Sequence, residues 1–227
     1  MPIPRKPRAR RTPLTSDSIE RAALALIDEQ GLEAFSTRKL GERLGCEAMS
    51  IYHHFPSKAH LLDALVDRVV RENPLPPAEL APMERMREFA RGWRAMALRH
   101  PGFYPVLSVH RMNSATGVAY LDQILSTLRS GGLERERAAR LFRIIGYYIM
   151  GAALDEISGY GRGPSSLNPI SDAELAARFP AIAEAGRFFK PGNFEKTFEL
   201  GLDLLLEQSG LTARPRRRRV VRNPRGP

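Results

Sequence analysis

"STRKLGERLGCEAMSIYHHFPSK", Ser36 to Lys58, decides the fold. Ser36 is a helix cap, Leu40 and Leu44 follow at i, i+4 spacing, and Gly45 closes a helix that begins at Thr37. A few turn residues later "EAMSIYHHF" gives a second short helix. Pro56 stops it by disfavouring helical geometry at Phe55 and by lacking a backbone donor. Two short helices joined by a tight glycine turn, the second ending in polar and aromatic residues, have the composition of a helix-turn-helix.

A helical wheel divides the second helix by angle. With Ile51 at zero and about 100° per residue, Phe55 lies near ~40° and Ala48 near ~60°, so Ile51 and Phe55 form an anchoring edge. Met49 falls near ~160° and His53 near ~200°, facing away, with Ser50 and Tyr52 flanking them and His54 nearer the rim. The adjacent histidines therefore diverge, whereas a helical metal pair needs i, i+4 spacing so that both rings converge. There is no HExxH or CxxC pattern, and His60, His100 and His110 show no ligand spacing, so no metal and no cofactor is expected. Nucleophile-elbow, phosphate-loop and Rossmann glycine patterns are absent, and nothing demands an enzyme. The lone Cys46 cannot form an internal disulfide and reads as a packing or turn residue.

Outward from this core the pattern stays helical. Upstream, Ile19, Ala22, Ala23, Leu26 and Ile27 make an amphipathic stripe, with Thr15 or Ser16 as N-cap and Gly31 past the end. Downstream, Ser57 caps a helix carrying Leu61, Leu62, Leu65, Val66, Val69 and Val70. "NPLPPAELAP", Asn73 to Pro82, has four prolines in ten residues and should end that unit. Beyond it helices are predicted at about 83–99, 113–130 and 134–157, a short piece near 103–109, then helices near 171–186 and 193–208. No alternating β-branched pattern stands out, so the fold class is all-α.

The formal charge of +10 is unevenly placed. Residues 1–13 carry five positive charges and residues 211–227 carry seven, with no acid in either, leaving 23 basic against 25 acidic residues between them. Both tails are rich in proline and poor in large apolar residues, so they are expected to be disordered arms able to lie along phosphates. The N-terminus has no apolar signal region, and no run approaches the ~18 apolar residues that span a bilayer, so a soluble cytoplasmic protein is expected.

The segment "GLEAFSTRKLGERLGCEAMSIYHHFPSKAHLLDAL", Gly31 to Leu65, resembles the DNA-binding domain of the tetracycline-repressor (TetR) family of bacterial transcription regulators. That resemblance implies a homodimer of all-α subunits that reads a palindromic operator in double-stranded DNA and is released when a small ligand enters the C-terminal domain. By position it implies that Thr37 meets a phosphate and Arg38 a base, that Ala48, Met49, Ser50 and His53 face the major groove, and that Tyr52, His54 and Lys58 hold the backbone. Phosphate contacts position and base contacts specify, which agrees with the wheel. Two departures concern capping. Glu47 stands where many members place Ser or Thr, and His60 replaces the acid of a capping box.

Residues 83–208 resemble the family's C-terminal region through "WRAMALRHPGFY", "YYIMGAALDE" and "FEKTFELGLDLLLEQ". Small residues Gly146, Gly151, Ala152 and Ala153, facing Phe198, Leu202 and Leu205 on the last helix, are expected to form a two-fold four-helix interface. Trp93, Met96, Phe103, Tyr104, Met112, Phe142, Tyr147 and Met150 are a concentration of large adaptable side chains, expected to line the effector cavity the resemblance implies. His100, His110, Asp155 and Glu156 could add polarity. The family's histidine-and-acid magnesium site for a drug complex falls loosely near His110 and Asp155.

The expected organisation is a basic arm (1–13), a helix-turn-helix DNA-binding domain (14–72), a Pro-rich linker (73–82), a helical effector-binding and dimerisation domain (83–210) and an Arg-rich tail (211–227). The expected function is that of a ligand-released repressor. The alternative is a non-specific DNA-compacting protein that works through its tails.

Overall fold

A computed structural model describes residues 13–110, 112–159 and 167–212, so nearly all of both basic arms lies outside the described residues. Ten α-helices and no strand occur among the described residues: α1 Ser16–Gln30, α2 Thr37–Leu44, α3 Ala48–Tyr52, α4 Lys58–Glu72, α5 Pro82–Arg99, α6 Ala115–Ser130, α7 Arg135–Ser158, α8 Asp172–Arg178, α9 Pro180–Ala185 and α10 Phe194–Glu207. A 3-10 turn, Tyr104–Ser108, connects α5 to α6.

Local chemistry sets these boundaries. At α1 the Thr15 hydroxyl accepts from the Ser18 N–H while the Ser18 hydroxyl accepts from the Thr15 N–H, a reciprocal capping box. Ser36 caps α2 through the Lys39 N–H. Gly45 ends that helix at φ +65°, a left-handed conformation that costs glycine little. Gly41 lets α3 fold back closely, since a Cβ there would sit 2.7 Å from the Cys46 carbonyl oxygen. Glu47 supplies no side-chain cap to α3. At α4 the Ser57 hydroxyl accepts from the His60 N–H, and the His60 ring nitrogen lies 2.8 Å from the same hydroxyl, so imidazole occupies the space beside the cap that an acid would take.

One contiguous apolar cluster runs through the whole molecule, from Ile19 and Ile27 of α1 through Ile51, Leu65, Trp93, Ile145 and Leu202 to Leu211. At about 1.5–3 kcal/mol per fully buried large side chain, this cluster supplies the main drive to fold. α5 is its axis, packed on α6, α7 and α10. Its arginines tie the bundle together: Arg94 pairs with Glu156 on α7, and Arg91 and Arg87 pair with Glu199 and Asp203 on α10.

Besides this shared cluster, polar contacts join the N-terminal helices to the bundle. Asp28 at the end of α1 accepts the Phe103 N–H at 3.0 Å and lies 2.7 Å from His100 Nδ1. Asp67 on α4 accepts from the Ser114 hydroxyl that caps α6. The segment after α4 is pinned, because the Asn73 carbonyl accepts from Tyr120 and the Pro76 carbonyl from Arg85.

Two boundaries differ from the sequence reading. The helix expected over 171–186 is two, because Pro180 excludes helical geometry at Phe179, which sits at φ −136°, and instead opens α9. The expected tail begins too early. Leu211 is buried, and the Thr212 N–H and hydroxyl both reach the Gly131 carbonyl.

Candidate nucleic-acid interface and ligand cavity

α3 is held at one edge and open at the other. Ile51 and Phe55 are buried. Although regular helix stops at Tyr52, the N–H groups of His53 and Phe55 still bond back to Met49 and Ile51, which keeps the wheel angles valid to the end of the stretch. Met49 is 64 % exposed, and His53 is exposed with no hydrogen-bonding side-chain partner among the described residues. Ala48 and Ser50 are half-buried at the sides of this face. A surface groove beside it is lined by Pro13, Leu14, Cys46, Ser50, His53 and His54, so the chain enters next to the presenting side.

The residues expected at phosphates are held differently. Thr37 Oγ1 and the Tyr52 hydroxyl lie 3.1 Å apart, locking the start of α2 to α3. His54 Nδ1 lies 3.2 Å from the Ser16 hydroxyl on α1, a partner the sequence reading missed. Lys58 donates to the Phe35 carbonyl and sits over the Phe35 ring, 5.3 Å from its centroid. Arg38 is the most loosely held cation of the group. Its side chain is 83 % exposed, and its only ion pair among the described residues is a loose 3.8 Å approach to Glu42, an arrangement worth little in water. The structure thus offers a hydrogen-bonded hydroxyl-and-imidazole frame around a largely exposed arginine, methionine and histidine.

In the helical bundle a cavity of about 120 Å³ lies between α5, α6, α7 and the 3-10 turn, lined by apolar and aromatic residues. Of the expected residues, Trp93, Tyr104, Met112, Phe142 and Met150 line it, joined by Phe89, Tyr120 and Ile149, which the sequence reading did not single out. Three expected residues do not. Met96 and Phe103 are buried in the core without lining it, and Tyr147 is 63 % exposed on α7, bonded to Arg143. The Trp93 indole N–H donates to the Tyr120 hydroxyl at 2.9 Å, and Tyr120 donates in turn to the Asn73 carbonyl at 3.1 Å. Burial pushes the Tyr120 hydroxyl up to about 12, against the Trp93 hydrogen bond and the Arg85 charge, so it remains a neutral donor.

The suggested polar groups belong elsewhere. His100 holds Asp28, Glu156 holds Arg94, and His110 lies 3.8 Å from Asp63 on α4; Asp155 is exposed, and none of these lines the cavity. Among the described residues no group of three or more His, Cys, Asp or Glu side chains could hold a metal ion.

The expected pairing surface also needs correction. Ala153, Phe198 and Leu202 are fully buried within the subunit, whereas Gly146, at the border of the cavity, and Gly151 are exposed on α7. The apolar side chains left outside are Ile144 and Tyr147 on α7 and Leu200 and Leu204 on α10, with Leu205 half-buried in the groove between the helices. Tyr148 explains how close these helices lie: its hydroxyl donates to the Phe198 carbonyl at 2.7 Å, and a Cβ on Gly201 would fall 2.3 Å from it.

Residues 19–65 match the family of bacterial regulatory proteins named tetR, and residues 74–214 match the tetracyclin repressor-like C-terminal domain. The chain is 30 % identical over 226 residues to the tetracycline repressor protein class A from transposon 1721 of Escherichia coli, an alignment covering 95 % of this chain and 97 % of that protein. Apo ActR from Streptomyces coelicolor superposes with a TM-score of 0.72 at 28 % identity, over 89 % of this chain and 97 % of that one. The complex of ActR with actinorhodin gives 0.70 at 28 %, over 87 % and 97 %. With both halves matched and the agreement extending over nearly the full length, the chain belongs to the TetR family of bacterial transcription regulators, with a tetracycline repressor-like C-terminal domain.

Proposed function

We propose that this protein is a homodimeric repressor that grips paired operator half-sites with α2 and α3 and releases them when a small molecule occupies the α5–α7 cavity. The observation that carries this reading is the Trp93–Tyr120–Asn73 chain of hydrogen bonds, which runs from the cavity wall to the peptide that ends α4. A guest that displaces Trp93 or Tyr120 perturbs the C-terminal end of α4, and the other end of α4 begins beside α3. Because two copies must place both α3 helices in successive grooves, a small tilt of α4 changes the spacing and hence the fit. Release then follows from differential affinity: the ligand must bind the DNA-incompetent arrangement more tightly, and DNA must weaken the ligand by the same factor. The two copies pair through the outer faces of α7 and α10.

The test is titration of the dimer against DNA flanking its own gene. A specific complex whose affinity falls steeply with salt is expected, and its absence sinks the reading. Non-specific compaction rests on the basic arms alone. Removing residues 1–12 and 213–227 should therefore leave sequence preference intact while flattening the salt dependence.

Two substitutions probe the parts separately. Arg38→Ala should weaken operator binding by about 1–3 kcal/mol, the worth of a bidentate base contact, and relax preference at one base pair per half-site, as read by competition with single-base operator variants. Equal weakening on all sequences would move Arg38 to the phosphates. Tyr120→Phe leaves the buried Trp93 N–H without its acceptor and the Asn73 carbonyl without its donor. It should cost about 1–3 kcal/mol in urea unfolding.

A further inference from the structure

We propose that the α5–α7 cavity takes a flat, uncharged aromatic molecule of one or two rings carrying a single oxygen, which hydrogen-bonds the Tyr104 hydroxyl, and that it does so without a metal ion. This rests on reading the cavity as the effector site. Tyr104 is 1 % exposed and lines the cavity, and its hydroxyl has no partner among the described residues. Among the described residues the only buried polar side-chain atom that is both unpartnered and fully enclosed by protein is His100 Nε2, so the Tyr104 oxygen is not fully enclosed, and we place it at the cavity that its side chain lines. An unpaired buried hydroxyl is costly, and a guest oxygen removes that cost. The other lining hydroxyl, Tyr120, already donates to Asn73 and accepts from Trp93.

The rest of the lining sets the class. None of its described residues is charged, so an ionised guest would lose its hydration with nothing in return. Among the described residues it offers no carboxylate and no imidazole, the side chains that would hold a divalent cation. Phe89, Trp93 and Tyr120 present rings tilted to one another, with centroids 6.0–6.3 Å apart, a set of faces and edges that a flat aromatic guest can complement better than an alkane. At about 120 Å³ the space is close to that of an apolar cavity that accepts one benzene, and well below the ~300 Å³ of drug-sized pockets. Met112 and Met150 can re-pack to admit a second ring.

Trp93 is the chain's only tryptophan and lines the cavity, so its fluorescence reads occupancy directly. The probes are 4-ethylphenol, ethylbenzene and 4-ethylbenzoate, matched in shape and differing in one group. Full-length dimer should bind 4-ethylphenol three- to tenfold more tightly than ethylbenzene, the ratio expected of one hydrogen bond, and 4-ethylbenzoate at least tenfold more weakly than 4-ethylphenol, with chelator or added Mg²⁺ without effect. Tyr104→Phe should abolish the phenol's advantage and leave ethylbenzene binding unchanged, which also shows that the variant cavity is intact. Preference for the carboxylate, dependence on Mg²⁺, a phenol advantage that survives Tyr104→Phe, or no saturable Trp93 response overturns the proposal. Titrating the same phenol into the operator complex separates the two readings: Tyr104-dependent binding without DNA release removes the effector role but leaves the ligand class standing.

Discussion

Leu200→Glu combined with Leu204→Glu is expected to give a folded monomer that has lost operator affinity by roughly two to four orders of magnitude, the range by which linking two modest binding events exceeds one. Both leucines are more than half exposed in the isolated subunit, alongside Ile144 and Tyr147, so replacing them removes nothing from the core. Together they form an apolar patch of the kind that marks an interaction surface, and the two leucines lie about half a turn round α10 from the buried Phe198, Leu202 and Leu206 stripe. Two glutamates on each copy would face one another across a two-fold axis, where desolvation and like-charge repulsion both oppose pairing. Sedimentation equilibrium should show one subunit per particle with unchanged helical circular dichroism. A persistent dimer would move the interface off α7 and α10.

The sequence reading placed the pairing surface partly on side chains that the subunit buries, and for a physical reason. The i, i+4 run Phe198, Leu202, Leu206 is the strongest apolar stripe on α10, and the strongest stripe is the one a subunit buries for itself. The weaker Leu200–Leu204 row, offset by two residues, is left exposed and is the one proposed for a partner. Ala153 misled in the same way, because a small residue allows close approach whether the neighbour is internal or external. The orientation read for α3 agrees with the structure because it needed only local periodicity: Ile51 and Phe55 are buried, Met49 and His53 exposed, as one helix and one proline dictate.

The cavity lay between these cases. Large adaptable side chains identified Trp93, Tyr104, Met112, Phe142 and Met150, but composition could not separate residues that border space from Met96 and Phe103, which fill it. Tyr120 was missed because α6 is amphipathic with a mixed polar face, and nothing local says that its tyrosine reaches a tryptophan 27 positions earlier. The polar candidates failed because their partners are remote: His100 meets Asp28 and Glu156 meets Arg94 across 72 and 62 residues.

Glu156→Ala should be the most damaging single polar substitution in the bundle, costing about 3–5 kcal/mol in urea unfolding. The Arg94 guanidinium makes two parallel bonds of 2.7 Å to this carboxylate, with both side chains less than a fifth exposed. Its pKa is raised chiefly by that contact, and even without it the guanidinium keeps its charge, because arginine is cationic at any ordinary pH. The same guanidinium lies 5.4 Å from the Phe198 ring centroid, so α5, α7 and α10 converge on one charge. Replacing both partners with apolar residues of similar volume, Arg94→Met with Glu156→Leu, removes the stranded charge and should restore most of the loss, because a buried pair gains little over good packing. The double variant therefore decides what the pair does. Recovery means that Glu156 serves mainly to neutralise a charge placed between three helices. A double variant as weak as the single means instead that the Arg94 stem and its ring contact with Phe198 hold α5 in place, and with it the wall on which Trp93 stands.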